Sequence, residues 1–191
     1  MTLNIANLIT LLRIALIPVL VGVFYSGIKY NNNIAAFIFI AAALTDWLDG
    51  YLARKYNMES SFGAFLDPVA DKLMVSTVLI LLVQSTPEPW LAAIGAVIIG
   101  REISISALRE WMAEIGKRAR VKVALTGKIK TIAQMVALAM LLYKDDLMMI
   151  PIRAIGEIAL VIAAILTLWS AVQYLLAART ALKEIDSGDL N

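Results

Sequence analysis

Residues 33–55 read NIAAFIFIAAALTDWLDGYLARK. The first half is apolar enough for the interior of a bilayer. The second half places Asp46, Asp49, Arg54 and Lys55 on the same segment. Ionised carboxylates beside an apolar span are costly, so acids kept there mark a functional site by default. The next apolar stretch, SFGAFLDPVADKLMVSTVLILLVQ at 61–84, carries Asp67 and Asp71 near its start. At 3.6 residues per turn, positions three or four apart share a helix face, so each acid pair lies on one face. Gly50 and Ala53 continue the first face, and Gly63 leads the second one turn earlier. Small residues let a neighbouring helix or a bulky ligand approach the backbone. The short connection at 54–62 makes the two helices antiparallel neighbours. All four carboxylates are therefore expected to converge at similar depth.

The rest of the chain has the same character. Of its 191 residues 61% are hydrophobic, and its mean hydropathy is +0.80, whereas a soluble domain is roughly half apolar. Six apolar runs, near 5–25, 33–55, 63–84, 89–112, 124–143 and 150–178, approach the ~20 residues that a helix needs to cross a bilayer. Breaks fall at Ser26 to Asn33, Asn57 to Ser61, Pro87 to Pro89 and Lys144 to Asp146, and a basic loop at Gly116 to Lys122. The first run lacks a small-residue cleavage site and reads as a retained helix. The expected fold is an all-α membrane protein of one domain over 1–191, with six transmembrane helices around a polar cavity.

Charge placement orients that bundle. One end collects every Lys and Arg except Lys29, Lys144 and Arg153. The Lys/Arg-rich side is cytoplasmic, so the cavity and both termini are expected to face the cytoplasm. The chain has no cysteine and no histidine. That excludes thiolate nucleophiles, disulfides, Cys/His zinc sites and imidazole bases. A general base must be a carboxylate, lysine or tyrosine, and any metal must be a hard, oxygen-bound cation such as magnesium, manganese or calcium. No nucleic-acid partner is expected.

Four anions need counter-charge in a partly dry pocket, and one or two divalent cations supply it. A two-metal site can clamp the attacking and leaving oxygens of an in-line displacement at phosphorus, and Arg54 stands ready to meet a phosphate with its planar donor fork. Helix caps or solvated charge are the plainer reading of any single acid pair. Two pairs with Gly and Arg at fixed offsets weigh against it. A cation transporter would also bury acids between helices, but such acids usually lie near mid-membrane, and no pair of broken helices is evident. The four tryptophans, Trp47, Trp90, Trp111 and Trp169, read as interfacial aromatics.

Asp46-Trp-Leu-Asp49-Gly50-Tyr-Leu-Ala53-Arg54, then eight residues, then Gly63-Ala-Phe-Leu-Asp67-Pro-Val-Ala-Asp71 resembles the signature of the CDP-alcohol phosphotransferase family at every position. The segments Asn7-Leu-Ile-Thr10-Leu-Leu-Arg13 with Pro18, Arg101-Glu102 through Ser106-Ala-Leu-Arg109-Glu-Trp111, and Gly127-Lys128-Ile-Lys130-Thr131 extend the likeness over nearly the whole chain. They are similar to the bacterial branch whose acceptor is glycerol 3-phosphate.

The resemblance implies a phosphatidyl transfer from CDP-diacylglycerol to sn-glycerol 3-phosphate at the bacterial inner membrane, with CMP released, a step on the route to phosphatidylglycerol and cardiolipin. It implies two divalent cations, Mg2+ or Mn2+, one on Asp46, Asp49 and Asp67 and the other on Asp46, Asp67 and Asp71. Asp71 would also be the general base. Asn7, Thr10, Gly50, Arg54 and Ser60 would bind the CDP-diacylglycerol, and Arg101, Arg109 and Lys128 the dianionic acceptor. Arg101 and Arg109 lie two helical turns, about 12 Å, apart on one face. The competing reading for these cations is topological charge or contact with anionic lipid. A sibling enzyme with another acceptor would share the metal site. Family members are often dimers, which adds a homodimer to the expected partners beside the lipid bilayer.

Overall fold

The structure, a computed structural model, describes residues 5–55, 60–115, 125–146 and 150–186, with side chains within 7–46, 60, 62–115, 131–146 and 150–180. Six α-helices run through these residues: α1 (Ile5–Tyr25), α2 (Asn31–Lys55), α3 (Ser61–Ser85), α4 (Pro89–Glu114), α5 (Leu125–Tyr143) and α6 (Ile152–Asp186). There is no sheet among them. The expected apolar runs match these helices to within a few residues, except that α6 continues past 178. At 1.5 Å per residue its 35 residues span roughly 50 Å, well beyond a hydrocarbon core of ~30 Å. Its last turns carry Arg179, Lys183 and Glu184, residues suited to a helix that has left the apolar zone. The expected basic loop at Gly116 to Lys122 lies wholly outside the described residues.

Local chemistry explains the helix ends. Asn31 donates from Nδ2 to the Phe24 carbonyl at 2.7 Å, tying the α1–α2 turn back onto α1. Ser60 is the N-cap of α3, accepting from the Gly63 N–H at 3.0 Å. Pro89 opens α4, where its missing N–H costs no intrahelical bond.

Helix α1 packs on α2 and α3; α5 packs on α2, α3 and α6; and α4 packs on α3 and α6. The main apolar core gathers Leu20 and Phe24 of α1, Phe39 of α2, Met74 to Leu82 of α3, Ile98 of α4, Leu138 and Leu142 of α5, and Leu160 of α6. It fills one end of the bundle. The other end is formed by the starts of α1, α3 and α5 and the final turns of α2, α4 and α6, and its interior is polar.

The outer surface is apolar. Leu8, Phe37, Phe65, Ile80, Ile103, Ile158, Ile165 and Trp169 are all more than half exposed, as lipid-facing residues are. Trp90 and Trp111 are exposed as well. Among the described residues three stretches, Asn7–Tyr25, Pro89–Glu114 and Ile152–Thr180, are long and apolar enough to cross a membrane. Along α6 the inward face is built of Gly156, Leu160, Ala163, Ala164, Thr167 and Ser170. Small residues at this spacing let helix backbones close where lipid supplies no hydrophobic drive between them. A methyl group on Gly156 would stand 3.0 Å from Met140 Cβ and 3.2 Å from Leu141 Cγ. Gly156→Leu should therefore force α5 and α6 apart and cost about 1–3 kcal/mol. Thermal unfolding of the detergent-solubilised variant measures this, and an unchanged midpoint would contradict the close packing of these two helices.

Candidate active site

Helix α1 is apolar outward and polar inward. Asn7, Thr10 and Arg13, three residues apart, are its buried polar side chains, while Leu8, Leu11 and Leu12 are exposed. Each of the three grips a different part of α2 or α3. Asn7 Oδ1 accepts from Ser60 Oγ at 2.9 Å. Thr10 Oγ1 donates to Asp67 Oδ1 at 2.6 Å. Arg13 Nη1 lies 2.9 Å from Asp46 Oδ1 and 3.0 Å from Asp71 Oδ1. Only 1% of the Arg13 side chain is exposed. A buried charge without a partner is strongly destabilising, so the two carboxylates are what permit a guanidinium at this depth.

Gly63 has no room for a side chain. An added Cβ would lie 2.6 Å from Asn7 Oδ1 and 3.1 Å from Ser60 Oγ. The glycine of the motif thus lets the α1 asparagine reach the cap of α3. Ser60 uses its hydroxyl in both senses, as donor to Asn7 and as acceptor from Gly63.

Asp46, Asp67 and Asp71 open together onto a cavity of about 350 Å³. The same cavity is lined by Arg101, Glu102, Ser106 and Arg109 of α4, Thr131 and Gln134 of α5, and Tyr174 of α6. Lys72 also lines it, and Pro68, Val75, Ile105 and Met135 give it an apolar lining. Arg101 is held firmly: it donates from Nη1 to Glu102 Oε1 and from Nη2 to Ser170 Oγ at 2.7 Å. Its Nε is buried with no hydrogen-bond partner among the described residues. The acids and the acceptor-side arginines expected from sequence therefore share one chamber. Asp49 follows Asp46 by one turn on α2, and Lys128 precedes Thr131 by one turn on α5. Their side chains, and that of Arg54, lie outside the described ones, as do the surroundings of Gly50.

A family model described as CDP-alcohol phosphatidyltransferase matches residues 3–169, a stretch that includes every wall of this chamber except Tyr174. The chain belongs to the CDP-alcohol phosphatidyltransferase family. A protein of Escherichia coli (strain K12) named CDP-diacylglycerol–glycerol-3-phosphate 3-phosphatidyltransferase is 50% identical over 182 residues, covering 95% of this chain and 98% of that protein. A protein of the same name from Shigella flexneri serotype 5b (strain 8401) matches with the same identity and coverage. This CDP-alcohol phosphatidyltransferase is a membrane transferase of phospholipid biosynthesis.

Divalent cations fit the residues of this family member. The donor set is carboxylate only, which suits hard cations. Among the described residues, which leave out the Asp49 side chain, no three acids stand together as a ready metal-ligating group, and Arg13 lies between two of the acids. Its Nη1 is a stand-in cation, contacting one oxygen of Asp46 and one of Asp71 at the same time. Two carboxylates that already share one positive centre are placed to share another.

Arg13, Lys72, Glu102, Ser170 and Gln134 were not singled out as site residues from sequence. For Arg13 a signal existed. Polar residues at 7, 10 and 13 form a stripe in an otherwise apolar helix, and a polar stripe facing a membrane bundle's interior marks a site. Ser170 had none, since a serine in an apolar helix reads as packing. Ser60→Ala removes both the α3 cap and the partner of Asn7. It should cost about 1 kcal/mol, the usual worth of an N-cap, measured by chemical or thermal unfolding of the solubilised protein. A neutral result would mean that the cap does not anchor α3.

Proposed function

We propose that the protein transfers the phosphatidyl group of CDP-diacylglycerol to sn-glycerol 3-phosphate, giving phosphatidylglycerophosphate and CMP, a step toward phosphatidylglycerol and cardiolipin. The observation that carries this reading is that Asp46, Asp67 and Asp71 line one chamber together with Arg101 and Arg109. That arrangement supports a diphosphate-cleaving site beside a receptor for an anionic acceptor. Half-identity to the relatives bearing that enzymatic name, over nearly their full length, supports the same acceptor.

In this reading Arg101 and Arg109, with Lys72 and Lys128, hold the phosphate of the acceptor. Glu102 and Ser170 fix the Arg101 guanidinium, so its donor fork meets the substrate already oriented. The acceptor hydroxyl oxygen attacks the phosphorus that bears the diacylglycerol. Its proton passes to the Asp71 carboxylate, and the bond from that phosphorus to the CMP oxygen breaks. Asn7, Thr10, Gly50, Arg54 and Ser60 line the nucleotide side. Two divalent cations, Mg2+ or Mn2+, held by Asp46, Asp49, Asp67 and Asp71, would neutralise the diphosphate and the charge that develops on departing CMP. One base and one in-line displacement suffice, so no covalent enzyme intermediate is needed.

All six helices span the membrane in this reading, and the cavity opens to the cytoplasm, the side that the Lys and Arg bias assigns. Val75, Ile105 and Met135 line the chamber with apolar surface. That suits a lipid substrate entering sideways from the inner leaflet, because acyl chains are too apolar to pass through water.

Purified protein given CDP-diacylglycerol and Mg2+ should release CMP only when glycerol 3-phosphate is added. Release with serine or inositol phosphate instead would assign a sibling activity, and cation transport without CMP release would assign a transporter. Asp71→Asn should lower kcat by at least a hundredfold, the usual scale of a lost general base, while CDP-diacylglycerol still binds. Arg109→Ala should raise KM for glycerol 3-phosphate by tenfold or more, the scale of a lost charge-assisted contact, and leave KM for the lipid within about twofold. Equal weakening of both substrates would refute this division of the chamber.

A further inference from the structure

Arg13 is the buried cation of the acid cluster, and its position is difficult to explain as topology. A charge that only marks the cytoplasmic side can sit at a helix end in contact with water or headgroups. Arg13 instead lies more than two turns into α1, and its side chain is sealed from solvent. One nitrogen serves both partners: Nη1 meets Asp46 Oδ1 of α2 and Asp71 Oδ1 of α3. The neighbouring Thr10 bonds Asp67. Helix α1 thus reaches all three described carboxylates of the cluster.

Without counter-charge these carboxylates would repel one another across the space between α2 and α3, two helices that α1 bridges, and splay apart. With Arg13 in place they are held at a spacing set by a single nitrogen. Arg13 occupies one oxygen of each of these two carboxylates. We propose that Arg13 is a tethered counter-ion that preassembles Asp46 and Asp71 in the metal-free protein and gives these oxygens up when the divalent cation binds. It is a positioning residue, acting through the aspartates. This inference rests on the reading of the aspartates as cation ligands given above.

The exchange has a defined thermodynamic signature. Arg13 stabilises the metal-free protein and opposes metal loading, since two cations compete for the same oxygens at short range, where charge interactions are large. Replacing it with a neutral side chain should reverse both effects. In Arg13→Gln the thermal midpoint in chelator should fall by several degrees. Saturating Mn2+ should then raise that midpoint by more than it raises wild type. The Mn2+ dissociation constant, read by titration calorimetry or by the resonance of free Mn2+, should tighten by about tenfold or more. Arg13→Lys, which keeps the charge, should bind Mn2+ within about threefold of wild type.

A wild-type measurement covers the case in which Arg13→Gln fails to fold. The Nη resonances of isotopically labelled Arg13 should move when Mg2+ is added and return when it is chelated. Arg13 resonances indifferent to saturating Mg2+ would overturn the proposal, as would Mn2+ binding that is unchanged or weakened in Arg13→Gln. Those results would leave the proposed function intact. A wild-type protein that binds no divalent cation at all would sink both readings.

Discussion

A guanidinium sealed inside an apolar bundle must be matched by anions, and the architecture of the site follows from that requirement. Arg13 is nearly inaccessible to solvent and contacts Asp46 and Asp71 at 2.9 and 3.0 Å. Removing either partner leaves a buried charge undercompensated, and removing the arginine leaves two carboxylates facing each other. The ion pairs join α1, α2 and α3. Two of these helices, α1 and α3, are joined again at Thr10–Asp67 and at Asn7–Ser60. Local order at the reacting groups and tertiary order of the bundle's polar end therefore have a common origin.

Away from that end the chain is organised for an apolar solvent. Large aliphatic side chains face outward, and small ones bring α5 and α6 into contact at Gly156. The apolar core fills the end opposite the cavity. This division gives the site a rigid support, because the helices that carry the acids are packed by Phe39, Met74 and Leu79 below them. The polar interactions need only set the final side-chain positions, a division of labour suited to a site that must hold charged groups in fixed geometry.

Within the chamber the charges are segregated. The carboxylates come from α2 and α3, and the arginines Arg101 and Arg109 from α4. Each wall carries some counter-charge of its own. Arg13 serves the acidic wall, and Glu102 serves Arg101 on the basic one. Ser170 of α6 adds an uncharged acceptor to Arg101. A buried Nε on Arg101 still lacks a partner among the described residues.

Much of this was readable from the chain alone. Hydropathy places six helices because the energetic penalty for polar backbone in a membrane leaves few alternatives. Helical spacing puts Asp46 with Asp49 and Asp67 with Asp71, but α2 and α3, expected to be neighbours from the short 54–62 connection, are instead brought together through α1, which packs on both. The same arithmetic puts Arg101 and Arg109 on one face. Sequence could not say which way a charge in an apolar helix points. Arg13 looked like one more positive charge at the cytoplasmic end, and Ser170 like packing. Their roles depend on atoms of α2, α3 and α4 that are distant along the chain and close only after folding. Covalent spacing determined which residues share a helix face. Only the packing of separate helices decided which buried charge meets which, because an ion pair in a low-dielectric interior is defined by distances of a few ångströms that no one-dimensional pattern contains.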